Sequence, residues 1–173
     1  MFKIPPDVAQ AWVRMNEPKA DAGTVQHLEV LLGFPLPPAY VEFITRYGFV
    51  VFGRDPGRRW RFTYTMEDGH GQREVRQQSV AYLFNPGDVP VVYRNTTTPD
   101  PDDDTLPSFP ADYLPVASDR GQGCVLLEIR PVPGRVWYWP ARAARWGTDG
   151  NTRLGRVADN FHDFINHLEP DPL

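Results

Sequence analysis

Apolar positions recur with two periods along this chain, and the changes of period divide it into elements. Residues 112–139 read DYLPVASDRGQGCVLLEIRPVPGRVWYW. Extended runs at 113–117, 124–130 and 136–139 are rich in β-branched and aromatic residues, and the breaks between them carry Gly, Pro and Asp. That punctuation predicts an antiparallel meander. Residues 59–66 predict a further strand with Trp60, Phe62 and Tyr64 on one face, followed by a polar turn at 67–72. Residues 75–84 carry both signals. Gln77, Gln78 and Ala81 favour helix, whereas Val80, Tyr82 and Phe84 alternate like a strand; the expectation leans to a short helix. Residues 89–93 read as extended.

The helical period appears at both ends. Thr24 is a candidate N-cap, Val25, Leu28, Leu31 and Leu32 form an apolar stripe, and Gly33 suits the C′ position. Pro37 or Pro38 can open a second helix, because a first-turn residue needs no amide hydrogen. Tyr40, Phe43, Ile44 and Tyr47 line that helix, and Gly48 ends it. A last helix is predicted from about Asp159, with Phe161, Phe164, Ile165 and Leu168 on its buried face and Pro170 and Pro172 as stops. Residues 1–23 read as a peripheral segment with a short helix at 8–15, and residues 24–170 as one domain. Helices, then strands, then a helix make an α+β fold, a mostly antiparallel twisted sheet packed against N-terminal helices and a C-terminal helix.

Composition narrows the function. With 173 residues, 41% apolar, the chain can bury a sizeable core. A formal charge of −4 disfavours nonspecific nucleic-acid binding. The single cysteine, Cys124, rules out an internal disulfide framework and multi-cysteine zinc sites. Prolines and an aspartate interrupt the first residues where a signal peptide needs an apolar core, and no apolar run approaches about 18 residues, so the expected location is the cytoplasm.

Candidate chemistry is sparse. His162 and His167 are five apart and do not stack on a helix, and His27 reads as a surface residue. Cys124 lies in an apolar strand, where a thiol acts as a small hydrophobe. Residues 121–123, Gly-Gln-Gly, lack the third glycine and following helix of a phosphate loop and read as a strand-joining turn. Arg130, Arg135, Arg142, Arg145, Arg153 and Arg156 interleave with Trp137, Tyr138, Trp139 and Trp146. That pattern suits either base stacking or the wet face of a sheet. No cofactor and no metal site is expected. The conspicuous loop is 95–112, with four of the 19 prolines and five aspartates; no Lys or Arg occurs from Thr96 through Asp119. Loops of this length are often functional.

Three stretches carry a resemblance: LEVLLGFPLPPAYVEFITRYG at 28–48, YLPVASDRGQGCVLLEI at 113–129, and GRVWYWP with VADNFHDFINHLEP at 134–140 and 157–170. Their order and spacing resemble the SMI1/KNR4 family, also called the SUKH superfamily. The chain departs from that pattern at Phe49, where a second glycine is frequent, and in the loop at 95–112. The resemblance implies an α+β fold with no shared catalytic set. It implies a bacterial immunity protein that binds a cognate toxin domain of nuclease or deaminase type, and the compact chain is expected to bind it one-to-one; the alternative is a regulatory or scaffolding adaptor binding a host protein. A small hydrolase or nucleic-acid-binding protein ranks below both. The expected contact is the acidic loop, with Asp102, Asp103 and Asp104 drawn to a basic cleft and Tyr93 and Phe109 as aromatic anchors.

Overall fold

The computed structural model describes residues 1–4, 9, 19–52, 59–67, 70–140, 142 and 144–171; the helix expected at 8–15 lies outside them except for Ala9. Helix α1 spans Ala22–Leu32 and α2 spans Pro38–Arg46. The cap of α1 is Asp21 rather than Thr24: its carboxylate accepts from the Thr24 amide at 2.7 Å and the Thr24 hydroxyl at 2.8 Å. Leu28 and Leu32, one turn apart, are buried, while Leu31 falls off the stripe and is 48% exposed. Gly33 adopts φ 78°, and its N–H donates to the Glu29 carbonyl. The Glu29 side chain in turn accepts from the Leu36 amide at 2.8 Å, tying the proline-rich connection down. Pro38 opens α2, which buries Tyr40, Phe43 and Ile44.

Strands β1 (Arg59–Glu67) and β2 (Arg73–Leu83) form a long antiparallel hairpin, in register from Trp60↔Val80 to Glu67↔Arg73. The stretch read as a short helix at 75–84 is therefore a strand. Gln77, Gln78 and Ala81 tolerate either state, and the partners that β1 supplies to Val75 through Val80 decide between them. The stretch read as extended at 89–93 is the start of helix α3 (Val89–Thr97). Asn85 accepts from the Gly87 amide to start a 3₁₀ turn at Pro86–Asp88, and Pro90 sits in the first turn of α3, where its ring fits. The hydroxyls of Thr96, Thr97 and Thr98 then bond back to the carbonyls of Val92, Tyr93 and Arg94.

The meander is present as β3 (Tyr113–Asp119), β4 (Cys124–Glu128) and β5 (Val136–Trp139), all antiparallel neighbours. Every residue of β4 is buried, as a strand covered on both faces requires. After β6 (Gly155–Ala158) comes α4 (Phe161–Asn166). Its cap is Asn160, which accepts from the Asp163 amide at 2.9 Å, and not Asp159, which pairs with Arg156. Past α4 the chain turns extended as β7 (Glu169–Asp171) and pairs with β1 at Arg59, Trp60 and Arg61.

Pairing runs β2–β3–β4–β5–β6–β1–β7, and β1 also pairs with β2, so the sheet coils back on itself. The β6–β1 junction is one pair, Thr65↔Arg156, with Gly155 beside it, where a Cβ would strike the Tyr64 ring. The inner face holds Phe62, Tyr64 and Tyr138, with ring centroids 5.2 Å (Phe62–Tyr138) and 4.8 Å (Tyr64–Tyr138) apart. A second aromatic group joins α2 to α4: Tyr40 and Phe43 meet Phe161 at 5.3 and 5.5 Å. Phe2, within the segment read as peripheral, is buried in this group 5.2 Å from Phe43, and the Lys3 amide donates to the Asn166 side chain at 2.7 Å. The result is a single α+β domain with helices packed on a coiled antiparallel sheet. Among the described residues, no helix is long and apolar enough to cross a membrane.

Candidate functional site

The acidic loop between α3 and β3 is fastened at several points. Asp100 lies against Arg145 with N–O 2.6 Å, and Asp112 against Arg130 at 3.0 Å. Asp100 has a side chain only 12% exposed, so this pair is better shielded than the rim pairs of the surface. Phe109 is 3% exposed. Its ring lies 4.8 Å from Trp139 and 4.9 Å, edge-on, from Trp146. Pro107 closes on Gly147, whose φ of 92° and lack of a Cβ are both required: a Cβ there would stand 2.7 Å from the Pro107 Cδ. At the near end the Tyr93 hydroxyl donates to the Ala111 carbonyl at 2.9 Å, and its ring meets Phe34 edge-on at 5.5 Å. Burial raises the Tyr93 pKa above its ordinary value.

Of the residues expected to meet a partner, Phe109 is buried and Tyr93 is half-buried, and both hold the loop. The three aspartates occupy its tip. The Asp103 carboxylate accepts from the Thr105 hydroxyl at 2.5 Å and the Thr105 amide at 3.0 Å, and these bonds hold its pKa below the ordinary value. Asp102 and Asp104 are exposed. Five aspartates less the two paired ones leave three carboxylates on a pre-ordered tip.

Beneath the tip a cavity of about 310 Å³ opens between α3, the loop and the stretch after β5, lined among others by Asn95, Ser108, Trp146, Arg142 and Arg145. The Arg142 guanidinium stacks over Phe84 at 5.2 Å. The acidic loop and the arginine-bearing stretch are therefore neighbours joined through Arg145 and Asp100. Interleaving of Arg and Trp at 137–146 was the one sequence signal for this clamp. Trp139 and Trp146 meet edge-on at 5.4 Å, and Phe109 packs against both.

The other polar groups are structural. Cys124 is fully buried, its thiol donates to the Ala117 carbonyl at 3.2 Å, and burial pushes its pKa up to about 12, which removes it as a nucleophile. The turn at 121–123 is organised by the buried Asp119. One carboxylate oxygen accepts from the amides of Gly121 and Gly123 at 2.8 and 2.9 Å; the other accepts from the Tyr138 hydroxyl at 2.6 Å and the Gln78 amide at 3.0 Å. A Cβ on Gly123 would strike the Tyr138 hydroxyl. His162 Nε2 lies 2.7 Å from the Glu42 carboxylate, linking α4 to α2. Among the described residues, no three His, Cys, Asp or Glu side chains converge to hold a metal ion.

Coiled antiparallel sheet, flanking helices, a glycine turn locked by a buried aspartate and a fastened acidic loop define an α+β domain. The family model described as SMI1 / KNR4 family (SUKH-1) matches residues 19–167, and the chain belongs to that family. No curated protein and no solved structure matches it.

Proposed function

We propose that this protein is a non-catalytic binding domain that neutralises a cognate toxin domain of a polymorphic toxin system, as an immunity protein acting in the cytoplasm. Family membership over residues 19–167 carries the reading. The buried thiol at Cys124 agrees with a protein that acts by covering another rather than by chemistry. Asp102, Asp103 and Asp104 meet the basic substrate cleft of a nuclease or deaminase. Complementary charge there speeds association and excludes wrong partners. The fastening by Phe109, Tyr93 and Arg145 lets the tip bind without first ordering a long loop, a cost that flexible binders carry.

The test uses the toxin domain encoded next to this gene. Co-expression should restore growth of cells poisoned by that domain, and the two chains should co-purify one-to-one. An Asp102/Asp103/Asp104→Asn variant should associate more slowly, with a weaker salt dependence than wild type. Growth arrest that persists with both chains soluble and present would refute the immunity reading. Unchanged association rates at low and moderate salt would refute the tip as the contact.

A further inference from the structure

The cavity beneath the loop tip has walls that the fold holds in place. Pro107 closes on Gly147, Phe109 packs on Trp139 and Trp146, and Arg145 pairs with Asp100. Preformed walls spare a ligand the cost of ordering the loop. The volume of about 310 Å³ falls at the low end for small-molecule sites, which run from about 300 to about 1,000 Å³.

The charge on the lining is unbalanced. Its charged side chains are Asp100, Arg142 and Arg145. Asp100 neutralises Arg145 at 2.6 Å, whereas no carboxylate among the described residues pairs with Arg142. Arg142 lies over the Phe84 ring at 5.2 Å instead. Such a contact leaves the in-plane N–H groups of a guanidinium available, and their fork matches a carboxylate. Arg142 is half-buried, so salt screens its pull on an anion less than that of a fully exposed arginine. One positive charge is thus left for a ligand, which suits a monoanion. A phosphate monoester carries about −1.5 to −2 at neutral pH and would bring charge with nothing to meet it. Asp102, Asp103 and Asp104 do not line the cavity.

The rest of the lining fits a flat apolar body. Phe109, Trp139 and Trp146 supply an aromatic wall, of which half-buried Trp146 keeps the most exposed surface. A ring packs well against such a wall edge-on or offset. Asn95 and Ser108 also line the cavity, and neither side chain hydrogen-bonds to another residue, so both have donors and acceptors to offer.

We infer that this cavity binds a small aromatic carboxylic acid, with its carboxylate on Arg142 and its ring against the wall at Trp146. The inference is independent of the toxin-binding reading, because the site lies off the tip aspartates and its ligand binds without a toxin.

Benzoate is the probe, with benzamide as its neutral match. Titration of the whole chain, followed by heteronuclear NMR, should give saturable shifts of the Trp146 indole and Asn95 side-chain amide resonances. Benzamide should bind about tenfold more weakly or worse, because it cannot form the charge-assisted pair. Arg142→Gln should weaken benzoate by a similar factor and leave benzamide unaffected, with circular dichroism unchanged. The comparison of benzoate with benzamide is made on wild type, so it decides the matter even where the variant disturbs the loop. Benzoate that does not saturate the protein, that binds no better than benzamide, or that shifts resonances only away from the cavity overturns the proposal. So does a folded Arg142→Gln protein that holds benzoate as wild type does.

Discussion

Replacing Phe109 by Ala asks whether the acidic loop belongs to the fold or merely decorates it. Phe109 is 3% exposed and packs on Trp139 and Trp146. Burying a phenylalanine is worth about 1.5–3 kcal/mol, and each well-placed aromatic pair adds about 0.5–1.5 kcal/mol. Phe→Ala in a core costs about 3–5 kcal/mol. The adjoining cavity of about 310 Å³ lets water and the loop move into the vacated space, which favours the lower end of that range. We expect a loss of roughly 3 kcal/mol, or roughly 6–12 °C in Tm for a domain of this size. Urea unfolding followed by tryptophan fluorescence and far-ultraviolet circular dichroism measures it. Near-ultraviolet circular dichroism should change in the native state, since Trp139 and Trp146 lose their neighbour, and amide exchange across residues 99–111 should accelerate. A change below about 0.5 kcal/mol, the size of an ordinary surface substitution, would refute the clamp and leave the loop as a solvated insertion.

Three further outcomes follow from the internal hydrogen bonds and the buried thiol. Tyr138→Phe removes the 2.6 Å hydrogen bond to the buried Asp119 and should cost about 1–2 kcal/mol in urea unfolding; an unchanged midpoint would contradict the role given to that turn. Cys124, with its pKa pushed up to about 12 by burial, should resist iodoacetamide in the native state and react once unfolded in urea; fast native labelling read by mass spectrometry would contradict its burial. Glu42 is held below its usual 4.5 chiefly by the hydrogen bond with His162, which outweighs the opposing effect of burial, with the charge of that ring adding a lesser lowering. A depressed carboxylate stabilises the fold above its unfolded pKa and loses that contribution as pH falls through the folded value. The stability advantage of wild type over Glu42→Gln should therefore shrink as pH falls below the unfolded value of 4.5, and an advantage that grows over that acid range would refute the pairing.

Much of this fold is written in local pattern. The 3.6-residue recurrence of Tyr40, Phe43 and Ile44 and of Phe161, Phe164 and Ile165, the alternation of Trp60, Phe62 and Tyr64, and the Gly, Pro and Asp breaks between β3, β4 and β5 are each set by neighbours within a few residues. Such signals survive without knowledge of the rest of the chain. Tertiary structure decided the elements whose local signals conflict. Residues 75–84 became strand because β1 supplied their backbone partners. Residues 89–93, β-branched and apparently extended, became helix because an Asn-Pro turn started it and a threonine-rich end stayed helical by bonding back to its own carbonyls. At the site the division is the same. The concentration of aspartates at 100–104 is visible in composition. That Phe109 would pack against Trp139 and Trp146 and that Arg145 would hold Asp100 both depend on contacts between segments far apart in sequence. Only the three-dimensional packing of the coiled sheet brings those segments within reach.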